Sequence, residues 1–111
     1  MPMTDETSRK QCRQIRVIFS NLGMKYRYIR THLRLCSEGC DLRLEAYQSD
    51  VRRIHRALSK LKPVDSYIIT QTFGKDGKVN NRWWRGIYTK STFYRFREEA
   101  VKRFLQEYYA K

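Results

Sequence analysis

Apolar residues recur at helical spacing through most of the chain. Over 9–22, Ile15, Ile18, Phe19 and Leu22 fall on one side of a helix, and Gly23 follows as a left-handed stop. Over 24–36, Tyr26, Ile29 and Leu33 form an apolar line, while Arg27, Arg30 and Arg34 run one residue behind it, about 100° round the helix. One face of this element should pack, and its neighbour is cationic. The break Ser37-Glu38-Gly39 and a capping residue at Asp41 come next, followed by Leu44, Tyr47, Val51, Ile54, Leu58 and Leu61 in the alternating three-four rhythm of a core helix over 42–62. A repeat this short inside a small domain reads as core, with a homodimer seam as the alternative use. Pro63 then opens a new element, since proline disfavours helical geometry at Lys62 yet suits a first helical turn.

The segment 64–88 supports two readings. "YIITQTF", "GKDGK" and "VNNRWW" suit a short β-hairpin insert at 67–84, because β-branched and aromatic residues flank a Gly-rich turn. Val64, Ile68 and Phe73 equally suit a short helix opened by Pro63 and Asp65 and closed by Gly74. Beyond it the pattern is plain: Phe93, Phe96, Ala100, Phe104 and Tyr108 share one face, which predicts a final helix from Thr92 to Tyr109 with Ser91 as its N-cap. These elements make one all-α domain over 9–111, with a basic helical arm at 9–36, and residues 1–8 as a disordered lead.

Charge changes the picture from fold to partner. The chain of 111 residues carries a formal net charge of +13. Its 41% hydrophobic content is that of a folded protein, so the surface is a cationic one and a polyanion is the first partner to consider. Residues 9–35 hold eight Lys or Arg and no Asp or Glu, and 78–111 hold nine against three. No run reaches the ~20 apolar residues of a membrane span, and the opening "MPMTDETSRK" has no apolar signal core, so the expected location is the cytoplasm, of a bacterial host on the resemblance below.

Candidate chemistry concentrates at the start of the last helix. Lys90, Ser91 and Thr92 stand where free helix amides favour phosphate, and Tyr94, Arg95 and Arg97 follow, with Arg85 just ahead. Short polar and long basic side chains at a helix start are what a DNA-reading helix needs. Trp83 and Trp84 could stack on unpaired bases, but at least one is expected to be buried. No nucleotide-binding glycine loop, zinc-hydrolase motif or Cys-His nucleophile pair is present, so no enzyme is expected. His32, Cys36 and Cys40 fall four apart, yet a structural zinc takes four ligands with closer cysteine spacing, and free thiols are the expectation; no metal or cofactor is assigned.

The pattern W..IYTKSTFYRFREEAVKRFL from Trp84 to Leu105 resembles the C-terminal signature of the small phage-encoded transcriptional regulators of the ArpU and RinA type. The stretch "RALSKLKPVDSYII" resembles the helix, proline break and helix that begin the promoter-binding region four of sigma factors, and together the two cover about 54–109. The resemblance implies a helix-turn-helix over 63–109, with Trp84, Gly86 and Ile87 in its support element and Lys90, Ser91, Thr92, Tyr94 and Arg95 opening its recognition helix. It implies duplex DNA as ligand and favours helix at 64–74; host RNA polymerase is kept as a further candidate partner. The stretch "RWWRGIYT" is shorter than a full support helix and turn, so a hairpin insert stays open, as in winged variants. A DNA-binding transcriptional regulator is the leading expectation, with Arg27, Arg30 and Arg34 on flanking phosphates. The alternative is a basic phage interaction protein that binds RNA or inhibits a host nucleoprotein such as RNA polymerase or a nuclease.

Overall fold

The computed structural model describes residues 2–35 and 42–110, with side chains over 6–33 and 42–110. Its helices are α1 (Pro2–Phe19), α2 (Leu22–Leu35), α3 (Leu42–Ser59), α4 (Pro63–Phe73) and α5 (Lys90–Tyr108). Among the described residues there is no β-strand, and no helix is long and apolar enough to cross a membrane. The expected capping residue Asp41 lies outside the described residues, as do Cys36 and Cys40.

α5 is the central helix, packing against α4, α3 and α1. Phe93, Ala100, Val101, Phe104 and Leu105 are buried on it, and Ile15, Phe19, Ile54, Ala57, Ile68, Ile69 and Phe73 close round them. The buried stripe is rotated from the expected one: Val101 and Leu105 replace Phe96 and Tyr108, which are half-buried. Neighbours on several sides widen the face α5 must bury beyond a single stripe. α3 runs antiparallel to α5, since Arg53 Nε donates to the Tyr108 carbonyl at 2.9 Å while Lys62, just past α3, lies near Arg95. α1 runs parallel to α5, with Phe19 packed on Phe104 and Cys12 near Arg97.

α2 is different because it packs chiefly on α3. Lys25 pairs with Asp50 at 3.0 Å, Tyr26 bonds His55, and the Tyr28 ring meets Tyr47 edge-on, so the pair is antiparallel and leads away from the core of α5. The molecule is accordingly long, 54 × 30 × 22 Å. With one main neighbour, the expected apolar line of α2 is only partly covered: Leu33 is 56% exposed and Tyr26 38%.

Four expectations are corrected. Helix α1 spans Pro2–Phe19, so its backbone takes in residues 2–8 in place of the expected disordered lead. The left-handed residue between α1 and α2 is Asn21 (φ 59°), and Gly23 lies inside α2. The segment 63–73 is helix, opened by Pro63, and a hairpin at 67–84 is absent; a single bridge pairs Lys75 with Lys78. The local β signal of Ile68, Ile69 and Thr72 is overridden because all three sit against the core on one helical face. Ser91 does not cap α5: Thr89 does, accepting from the Thr92 amide at 3.3 Å.

The Gly-rich insert acts as an anchor. Asp76, itself left-handed (φ 56°), accepts the Gly23 amide at 2.6 Å and so caps the start of α2. Next to it Gly77 (φ 79°) lies so close to α1 that a Cβ there would sit 2.3 Å from the Arg16 carbonyl oxygen. The loop thus clips the α1–α2 corner onto the end of α4, and only glycine fits that approach.

Candidate nucleic-acid interface

The entry to α5 is built from aromatic packing. After α4 the chain runs through a hydrogen-bonded turn at 83–87, where the Ile87 and Tyr88 amides both donate to the Trp84 carbonyl. Trp84 is buried and its ring stacks on Phe93 at 4.8 Å. Trp83 is half-buried, donating from Nε1 to Thr72 Oγ1 at 3.0 Å. Both rings are therefore structural, holding the start of α5 against α4. Gly86, with φ at 86°, ends the turn, and Thr89 then caps the helix.

Around α5 the expected reading residues fall into distinct sets. Ser91 and Arg95 are exposed, on the side opposite Phe93 and Ala100. Lys90 is also exposed, but it belongs to a line with Tyr94 and Arg97, whose cations lie 6.0 Å and 4.6 Å from the Tyr94 ring. Thr92 is half-buried and committed to the cap, its hydroxyl taking a hydrogen bond from Thr89 at 2.8 Å. Arg85 is exposed in the turn ahead. Arg95 borders a shallow concavity with Lys62, Val64, Asp65, Phe96, Glu99 and Arg103. Its carboxylates are already engaged, since Arg103 pairs with the buried Asp65 at 2.9 Å and with Glu99 at 3.1 Å. Arg95 is thus left to face outward.

Arg97 turns instead toward α1. Its Nη1 donates to Asn81 Oδ1 at 3.3 Å, and its Nε is buried with no protein acceptor. Arg9, Arg13 and Arg16 line the surface beside it, together with Cys12, Val79 and Asn81. Burial pushes the Cys12 thiol above its ordinary range; Arg97 and Arg16 pull it back, and Glu98 adds to the rise. A second concavity continues from Arg13 and Arg16 to Ser20, Asp76, Gly77 and Lys78. Sequence reasoning grouped these arginines only as part of a basic arm. The signal for them was present, because Arg9, Arg13, Arg16 and Ser20 lie four, three and four apart and so form one helical line.

The expected partner line on α2 lies elsewhere. Arg27 and Arg30 are exposed, and the side chain of Arg34 lies outside the described residues. The antiparallel register puts α2 beyond the level where Arg53 meets Tyr108, at the far end of α5 from Lys90. A helix from Lys90 to Tyr108 spans about 27 Å. So Arg27 and Arg30 of α2 lie toward the opposite end of α5 from Lys90, Ser91 and Arg95. His32, considered as a metal ligand, donates from Nδ1 to the Tyr28 carbonyl at 2.9 Å and stacks on the Tyr28 ring.

No protein-family model matches this chain, and neither a curated protein nor a solved structure matches it.

Proposed function

We propose that the protein is a transcriptional regulator of phage type that binds duplex DNA, with the first turns of α5 entering the major groove. In this reading α4 and the turn at 83–87 form an abbreviated helix-turn-helix support. The observation that carries it is the disposition of residues 77–97: six cations and no carboxylate in sequence, wrapped round a helix start whose opposite face is core. A rigid helix with exposed Lys90, Ser91 and Arg95 at its N-terminal end, flanked by exposed Arg82 and Arg85, can offer donors to base edges while its neighbours hold the backbone. The helix itself is immobilised by Trp84 on Phe93 and by Arg103 on Asp65, so few of its degrees of freedom remain to be lost on binding.

The test is a selection from random duplex DNA at near-physiological salt. A recovered consensus supports the reading, and Arg95→Ala should then relax one position of it at a cost of ~1–3 kcal/mol. Binding that ignores duplex sequence, or that prefers structured RNA, would favour the basic interaction protein instead.

A further inference from the structure

We infer that the arginine line of α1, Arg9, Arg13 and Arg16, is the phosphate-backbone clamp of the DNA complex, and that the arginines of α2 are not; this rests on the reading of α5 given above. Three observations converge on α1. First, the three side chains are exposed along one helical line, bordering continuous concavities that end at Lys78 on one side and Arg97 on the other. Second, α1 runs parallel to α5, with Cys12 level with Arg97, so Arg9 stands about one turn nearer the start of α5 than Cys12 does. Arg9, Arg13, Arg16 and Arg97 therefore border one concavity between the two helices. Third, among the described residues three carboxylates border it: Asp76 is held by the Gly23 amide, Glu98 lies on the Cys12 side, and Glu6 stands exposed one turn before Arg9, leaving the three arginines in excess over it on that line.

The spacing suits a nucleic-acid strand. From Arg9 to Arg16 the helix rises about 10 Å, roughly the axial length of three phosphates on one strand of B-DNA. Arg97 strengthens the attraction from behind, because its Nε is buried without an acceptor and its guanidinium adds positive potential to a concave, partly desolvated surface. On α2, by contrast, Lys25 is already neutralised by Asp50, and Arg27 and Arg30 stand near the Tyr108 end of α5, a helix about 27 Å long, away from Lys90.

The experiment measures the slope of log K against log salt for the full chain on a duplex of random sequence. Each phosphate contact removed lowers that slope by about 0.9. Replacing all three α1 residues (Arg9→Gln, Arg13→Gln, Arg16→Gln) should flatten it by about two to three units, whereas Arg27→Gln with Arg30→Gln should change it by less than about one. The matching Lys replacements on α1 keep the charge and should keep the slope, which separates a lost contact from a damaged fold. Duplex binding whose slope survives the α1 triple Gln replacement, or falls further with the α2 pair, overturns the clamp and leaves the proposed function standing. No duplex binding by the unaltered protein overturns both.

Discussion

α1 and α2 each carry three arginines at helical spacing, on consecutive helices, yet the fold gives the two lines different surroundings. The α1 helix is locked into the core through Ile15 and Phe19, 0% and 2% exposed, and its arginines border a loop and a third helix that add Lys78 and Arg97. The α2 helix leans on α3 through a surface ion pair and half-covered tyrosines, and Arg27 and Arg30 face solvent. Equal charge content therefore does not make equal sites. A cationic line in a concave surface gains local positive potential when a second element brings more positive charge beside it.

The largest expected effect tests how firmly each line is mounted. Phe19→Ala removes a fully packed ring from between α1 and α5 and should cost ~3–5 kcal/mol in denaturant unfolding. Leu33→Ala on α2 should stay within ~0.5 kcal/mol, because that side chain is 56% exposed. Equal losses would mean that α2 is mounted as rigidly as α1, and the contrast would fail.

Next come the ion pairs. Arg103→Ala strands the Asp65 carboxylate, whose side chain is 5% exposed, and should destabilise by ~1–3 kcal/mol. Lys25→Ala should cost no more than ~1 kcal/mol, since Asp50 is 47% exposed and rehydrates. Unfolding titrations of the two variants side by side decide whether the α4–α5 frame is the firmer of the two.

The corner between the lines is a smaller lever. Asp76→Ala deletes the cap on the Gly23 amide and should cost ~1 kcal/mol, with faster hydrogen exchange at the first turn of α2 and little change along α5. Unchanged exchange at Gly23 would show that the loop does not clip the corner.

The smallest effect is a pH dependence at the α1–α5 contact. Burial raises the Cys12 thiol above its ordinary 9.0, so the unfolded chain loses this proton first. The stabilisation is complete below pH 9 and is lost as pH rises from there through the folded value. Cys12→Ala should therefore flatten the decline in unfolding free energy between pH 8 and 10. A decline of the same steepness in the variant assigns it to other groups.

Much of the helical plan was legible in residue spacing, and the reasons for the exceptions are local. The rhythm from Leu44 marks α3, which ends at Ser59, short of the expected 62, and Pro63 marks where a new element begins, though not that it is helical; burial and backbone restriction act within a few residues of their cause. The cap of α5 was displaced by two residues, since Thr89 and Ser91 are both competent and the choice depends on where the turn after Gly86 delivers the chain. The candidate site was legible as a set of residue types but not as a surface. Nothing local says that Thr92 is consumed by a cap, that Arg97 turns inward while Arg95 turns outward, or that Arg9 lies beside them.

The sequence by itself determined a mostly helical chain outside 64–88, a concentration of positive charge at 9–35 and 78–111, and an α5 with a core face and a cationic front, all consequences of composition and period. The tertiary structure alone decided that α1 lies parallel to α5 while α2 leads away on α3, because that choice turns on contacts far apart in sequence: Phe19 on Phe104, Gly77 against Arg16, and Asp76 on Gly23. Such contacts depend on the joint shape of several elements, and no window along the chain contains them.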